Sequence, residues 1–508
     1  MKKSWIFNIL AILLSAVFGV FCASERLIAR DEGFYAYAAQ LVAEGKTPYQ
    51  DFFFPQMPLT PYFYGLGGFL AGSSWEVYRM GSALCFIGIL WLVYRIIARS
   101  STRFVGLFAL LATATCHLSF GWFPVIQTYA LSTFLLLVGV YCLSQGVAYP
   151  ARSSSEIKSY PGWVLLSGVA FSLAAQARLF FLPLCVIPLF FLWNTPARQK
   201  SFSYFFSGVL LGSIPSFTLF FVSKDSFLFS NVAYHLHRSD LSFQDAVAGK
   251  WRIFEVLFSL GLPSQKFSGF QTPILFGGLF LGLLSMWRFL PFAARLSGVV
   301  GVLLFFISFI PTPTYVQYFV TVIPFAVIVL FTSLSALLYQ KKGLPRFIIG
   351  MGVVVCGIVY ERHLFTDIER YTKSGTGVIG IGNERGAEDW NISKVQEIGQ
   401  QIEDYTEPAD VVLALWPGYL VGIERTTAKG SENHFGRGIV TERLSEIDQR
   451  RFHLLSQAHL ESLLFERSIS LVVGHRAYLS DELRIALKEH QYELREKRGE
   501  VEIYRSKS

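Results

Sequence analysis

The sequence predicts an all-α polytopic membrane domain of about eleven transmembrane helices, followed by a small extracytoplasmic α/β domain. Three observations predict it. Hydrophobic residues make up 52% of the 508 and charged ones only 16%, with 48 Phe and 10 Trp gathered in apolar runs. A soluble domain carries roughly 25% charged residues. Runs of about spanning length recur up to residue 360, and beyond residue 361 short strand-like and helix-like segments alternate instead.

The apolar runs fall near 5–23, 77–98, 103–120, 124–145, 161–178, 179–194, 202–222, 271–288, 296–311, 316–339 and 344–360. The first follows "MKK" and is longer than the apolar stretch of a signal peptide, so an uncleaved first helix is expected. Residues 1–360 hold 24 Lys and Arg against 11 Asp and Glu, a balance of +13, whereas residues 361–508 hold 20 against 25, a balance of −5. The overall +8 is therefore a property of the membrane half and does not indicate nucleic-acid binding. "RIIARSSTR", "ARSSSEIK", "PARQK", "WRFLPFAAR" and "QKKGLPR" all fall on one side under the positive-inside rule. This predicts a multi-pass protein of the plasma (inner) membrane, N-terminus cytoplasmic and C-terminal domain periplasmic or extracellular. All six Cys lie in apolar segments and the tail has none, so it is no disulfide scaffold.

Two parts result: a membrane domain, 1–360, with a first outer loop at 24–76, and an extracytoplasmic α/β domain, 361–508. In the tail, "ADVVLAL", "SISLVVG" and "GEVEIYR" read as strands, and 392–404, 451–466 and 481–490 as helices. "GTGVIG" (Gly375 to Gly380) has the G-x-G-x-x-G spacing but follows a charged segment, not a strand, and reads as a loop.

The acids direct attention to the first loop. Only Glu156 of the membrane-half carboxylates falls on the basic side, and Glu25, Asp31, Glu32, Glu44 and Asp51 share the first outer loop. Carboxylates at a bilayer are costly and usually functional. Asp31 or Glu32 opens a short amphipathic helix in which Phe34, Tyr37, Ala38 and Leu41 recur at helical spacing and Gly45 fits the stop. Too short to span, this helix is expected to lie in the membrane interface. "PQMPLTPYFYGLGGFLAG" reads as a second interfacial helix.

Each candidate has a functional and a structural reading. Asp31 fits a general base for an acceptor hydroxyl, and equally an N-cap, with Glu32 beside it in either role. Asp51 fits a sugar-hydroxyl contact or a turn. Tyr35 and Gln56 complete the polar groups of this aromatic loop. Arg178, in "AAQARLFF", fits a lipid-phosphate contact or a side chain reaching for headgroups. His235, His237 and Arg238 suggest a phosphate site or a solvated loop, and His-x-His without further ligands is no metal motif. Gln317 and Tyr318, with Tyr315, line the same cavity or belong to an aromatic belt.

The acidic pair after the first helix, the aromatic helix, "GKTPYQD" and the proline-aromatic segment resemble the GT-C glycosyltransferases. More narrowly they resemble the bacterial branch of the dolichyl-phosphate-mannose protein mannosyltransferase family, which includes the lipid A aminoarabinose transferases. The resemblance covers about the first 360 residues. It implies a membrane enzyme that takes a hexose or pentose from a polyprenyl-phosphate-linked donor outside the cytoplasm, with Asp31 catalytic. The substrates are then the lipid-linked donor and a lipid, glycan or protein acceptor. No obligatory cofactor, metal or nucleic acid is implied. Gln56 stands where relatives often carry a basic residue or His before Pro, and Gln127 where some carry a second acid. The rival readings are a transporter, for which no internal repeat is visible, and a lipid-linked glycan ligase.

Overall fold

A computed structural model describes residues 4–148, 158–193, 195, 197–260, 269–376, 378 and 386–507. Among them, six helices are long and apolar enough to cross a bilayer: Trp5–Glu25, Trp75–Ser100, Thr128–Gly146, Arg198–Val222, Val316–Gln340 and Leu344–Ser374. Five shorter apolar helices accompany them, at Arg103–Ala114, Pro161–Ala177, Leu179–Leu192, Gln271–Met286 and Phe292–Ile307. Phe221, Leu284 and Ile358 project outward from these helices into the space that hydrocarbon would fill. Residues 149–157 of the basic connection and half of the 375–380 segment lie outside the described residues.

One apolar run is broken where the site needs a corner, and a second corner falls at the expected boundary between the runs 161–178 and 179–194. The run at 103–120 stops as a helix at Ala114, and a short helix, His117–Trp122, follows a turn. Gln271 Oε1 holds that turn, 2.8 Å from the His117 amide and 2.9 Å from its ring Nδ1. Residues 123–127 are then non-helical, which leaves the Ile126 amide free to bond elsewhere. At the second corner Arg178 is extended (φ −151°) between Pro161–Ala177 and a 3₁₀ segment, Leu179–Val186.

Four helices frame the first loop: α1 (Ser4–Glu25), α2 (Glu32–Ala43), α3 (Leu59–Ala71) and α4 (Trp75–Ser100). Helix α2 ends as its sequence predicts. Gly45, at φ 89°, donates to Val42 O at 3.0 Å, and Lys46 donates to Leu41 O at 2.9 Å. These two bonds make a Schellman stop, which satisfies the last carbonyls. Helix α2 does not lie with one face in a membrane interface. Every residue from Glu32 to Leu41 is buried, between α3 on one side and the segment Pro417–Leu420 on the other. Its Gly and Ala positions make the second face possible: a Cβ on Gly33 would stand 2.4 Å from the Trp416 ring.

The C-terminal region is built on a five-stranded sheet. Its strands are β1 (Val411–Ala414), β2 (Thr426–Thr427), β3 (Leu471–His475), β4 (Tyr492–Arg498) and β5 (Val501–Ser506), in the spatial order β2-β1-β3-β5-β4. Strand β1 runs parallel to β2 and β3, with Leu413 opposite Val472, and β5 runs antiparallel to β3, with Val472 opposite Tyr504. The helix expected at 451–466 starts late. His453 takes a positive φ of 56°, and Ser456 caps a helix over Gln457–Phe465. Strand β4, "YELREKR", escapes a search for apolar alternation because it is a charged edge strand.

Candidate active site

The two adjacent acids have opposite environments. Glu32 is fully buried and every part of its carboxylate is engaged. Oε1 accepts from the Ala29 amide at 2.7 Å and from Arg79 Nη2 at 2.8 Å. Oε2 accepts from Arg79 Nε at 2.7 Å and from the Ile126 amide at 2.9 Å. Arg79, on α4, also donates to the carbonyls of Ala23 and Arg26, each at 3.1 Å, and to Leu27 at 3.3 Å. This bidentate pair ties the end of α1, the start of α2 and the 123–127 corner into one unit. The Ala29 amide thus donates to Glu32 just ahead of α2, and the side chain that reaches back over the helix start is that of Glu32, not Asp31.

Asp31 stands at the N-cap position but makes no capping bond. Among the described residues, no hydrogen bond reaches its carboxylate. Burial raises its pKa from 3.8 to about 6, Arg30 and Arg238 hold the rise back, and Glu32 adds to it. A half-buried carboxylate that is unbonded and poised near neutrality can accept a proton from a hydroxyl.

Tyrosines and arginines surround it. Tyr35, Tyr129, Tyr234, Tyr315, Tyr318 and Tyr478 all lie within its electrostatic reach. Arg178, placed by the corner at 178, is buried with its guanidinium 4.8 Å over the Tyr129 ring and 5.0 Å over the Tyr318 ring. Arg238 donates to Thr312 O at 3.4 Å. No carboxylate among the described residues forms an ion pair with Arg178 or Arg238. Gln317 is buried close by in sequence, and its Oε1 has no partner there. An anion arriving between these two arginines would meet positive charge that no protein acid satisfies.

The other expected residues lie further out. Asp51 is exposed and closes a turn, accepting from the Thr47 amide at 2.6 Å. Gln56 is partly exposed and gives its backbone carbonyl to the Tyr49 hydroxyl, at 2.5 Å. His235 Nε2 donates to Pro55 O at 2.8 Å, which pins the proline segment, and burial and Arg238 lower its pKa to about 4, so the ring is neutral. His237 bonds the Ala233 carbonyl at 2.8 Å on an exposed surface and does not converge with His235.

Sequence reasoning missed the contribution of the C-terminal domain. Trp416 Nε1 donates to Arg30 O at 2.6 Å, and Trp416 stacks on Trp75 with ring centres 5.9 Å apart. Arg30 lies 4.8 Å over the Tyr478 ring and donates to its hydroxyl at 3.4 Å. Phe34 on α2 meets His434 and Phe435 at 5.7 and 5.6 Å. Gln40 bonds the Gly422 amide at 2.9 Å and the Ile423 carbonyl at 3.2 Å. The only local signal was Arg30 itself, next to Asp31.

Residues 55–222 match a family model described as dolichyl-phosphate-mannose-protein mannosyltransferase. No curated protein sequence matches the chain. Among solved structures, the chain is similar to ArnT from Cupriavidus metallidurans in the apo state, at 14% identity and a TM-score of 0.66, covering 99% of this chain and 98% of that one. The same protein bound to undecaprenyl phosphate gives 14% identity, a TM-score of 0.67 and the same coverage. Over nearly its whole length the chain thus shares the fold of that protein.

Proposed function

We propose that the chain is an integral-membrane glycosyltransferase that moves a sugar from a polyprenyl-phosphate-linked donor to an acceptor oxygen. The observation that carries this reading is the unbonded Asp31 carboxylate beside Arg238, with Arg178 next to the same tyrosines and neither arginine in an ion pair among the described residues. The fold shared with a protein that binds undecaprenyl phosphate supports the donor class.

Asp31 takes the proton of the acceptor hydroxyl, and the oxygen attacks the anomeric carbon from the face opposite the phosphate. The bond from that carbon to the phosphate oxygen breaks, and the electron pair leaves with the lipid phosphate. Arg178 and Arg238 meet the charge that develops there, with Tyr318 and Gln317 beside them. One displacement inverts the anomeric configuration. Glu32 is a positioning residue that acts through Arg79 and the loop backbone. Tyr35 lines the sugar side. Asp51, Gln56, His235 and His237 shape the loop segments around it.

Domain and membrane arrangement follow the same reading. Residues 1–360 carry the donor chemistry, with the first loop at 24–76, and residues 361–508 form the domain that covers it. In this reading the first loop and the C-terminal domain lie outside the cytoplasm of an inner-membrane protein, with the N-terminus and the basic connections inside.

The test uses the full chain in lipid nanodiscs with undecaprenyl-phosphate-linked, radiolabelled sugars and envelope extract as acceptor. Wild type is expected to release undecaprenyl phosphate and label an acceptor. Arg178→Gln is expected to bind undecaprenyl phosphate at least tenfold more weakly, and wild-type affinity in that variant would refute the phosphate assignment.

A further inference from the structure

The cations around Asp31 outnumber what a lipid-linked donor can match. Arg30, Arg178, Arg238 and Arg437 converge on a region whose free carboxylate is Asp31, since Glu32 is consumed by Arg79. A sugar joined to a polyprenyl phosphate is a phosphodiester and carries a single negative charge. Asp31 and the donor together therefore leave two guanidinium charges unmatched. Cations without a counter-ion favour an anionic ligand, and the unpartnered donors beside them point to where a further one sits.

The surplus is on one side. Arg178 and Arg238 come from the membrane helices and the loop before residue 240, whereas Arg30 and Arg437 meet through the C-terminal domain. Tyr478 lies within the field of Arg30, Asp31 and Arg437 together. His434 packs 5.3 Å from the Tyr478 ring, and its Nδ1 is buried without a partner. Arg437 uses Nη2 on Leu415 O at 2.7 Å, but its Nε is also buried and unpartnered. No acid among the described residues forms an ion pair with Arg30 or Arg437. His434 is neutral, because burial and the two arginines hold its pKa at about 3, so it supplies a hydrogen bond and no charge. Two guanidinium groups, a phenol and an imidazole nitrogen are a donor set for an oxyanion.

We propose that Arg30, Arg437, Tyr478 and His434 form a second anion site on the C-terminal-domain side of Asp31, which holds an oxyanion group, carboxylate or phosphate, of the acceptor. Describing the ligand as the acceptor rests on the glycosyltransferase reading; the site itself does not. The C-terminal domain is then a selector. It admits acceptors whose negative group lies a short reach from the attacking hydroxyl, and neutral hydroxyl compounds lack the contact that seats them.

The experiment measures binding of glycerol 1-phosphate, D-glycerate and glycerol to the full chain in nanodiscs by calorimetry, with undecaprenyl phosphate saturating so that the donor site is filled. At least one of the two oxyanions is expected to bind one per chain, with glycerol silent, and the one that binds identifies the group. Arg437→Gln is expected to weaken that binding at least tenfold while undecaprenyl phosphate affinity stays within twofold. Arg437→Lys, which keeps the charge, is expected to recover part of the loss. Binding of neither oxyanion to wild type overturns the proposal, as does unchanged affinity in a folded Arg437→Gln. Oxyanion binding without turnover of any lipid-linked sugar would instead sink the transferase reading and leave the site standing.

Discussion

Replacing Glu32 by Gln tests the division of labour between the two acids. Glutamine fits the space but keeps one accepting oxygen where the carboxylate has two, and that carboxylate receives four bonds of 2.7–2.9 Å. An amide NH₂ turned toward Arg79 or Ile126 confronts donor with donor. Arg79, itself 2% exposed, becomes a buried charge without its counter-ion. Removing one member of a buried pair costs about 3–5 kcal/mol, and no solvent reaches this one to soften the loss. Unfolding of the detergent-solubilised chain can be followed with a thiol-reactive dye, since Cys22, Cys85, Cys116 and Cys142 are buried. Glu32→Gln is expected to melt several degrees lower, and adding Arg79→Met should restore part of the loss by removing the stranded charge. Transfer per folded molecule should fall far less than in an Asp31 variant. A Glu32→Gln protein that melts like wild type yet has lost transfer altogether would refute this reasoning and make Glu32 a catalytic group.

Four further outcomes follow from the same geometry. Transfer should rise with pH through a midpoint near 6, because Asp31 accepts a proton only when ionised; a profile flat from pH 5 to 8 would contradict it. An acid with a raised pKa binds its proton more tightly folded than unfolded, so its contribution to stability falls as pH rises from 3.8 through about 6. The displacement corresponds to at most about 3 kcal/mol, and Asp31→Asn should therefore melt above wild type at pH 7.5 but not at pH 3.5. Gly33→Ala drives a methyl group into Trp416 and should cost roughly 1–3 kcal/mol, seen as faster tryptic release of the C-terminal domain. His235→Gln should leave the pH midpoint unchanged, because His235 is already neutral above pH 5, while loosening the Pro55 segment by about 1 kcal/mol in a melting assay.

The membrane architecture was legible because hydropathy is a local property, and each apolar run reports its own environment. The acid cluster of the first loop was legible for the same reason, as a local excess of costly groups. Which acid is free was not. That depends on Arg79, 47 residues away, and on the Ile126 amide, 94 residues away. A window around "RDEG" contains neither. The burial of α2 was missed because its small residues read as the weak face of an amphipathic helix, whereas Gly33 makes room for Trp416. The domain side of the site was least legible of all, since Arg30 and Tyr478 lie 448 residues apart. The corner at Cys116, inside a continuous apolar run, was also invisible, because the bond from the His117 amide to Gln271 decides where that helix stops, whereas the break at Arg178 falls at the boundary expected between the runs 161–178 and 179–194.

The central claim is that Asp31 is the free base of a sugar-transfer site and not a structural cap. Its most direct test is Asp31→Asn in nanodiscs, with undecaprenyl phosphate affinity and transfer from a labelled lipid-linked donor measured on the same preparation. General-base catalysis contributes roughly 10²–10⁴ in rate. The account predicts a folded variant that binds undecaprenyl phosphate as wild type does and transfers at least about 100-fold more slowly. Transfer at the wild-type rate by Asp31→Asn would contradict it.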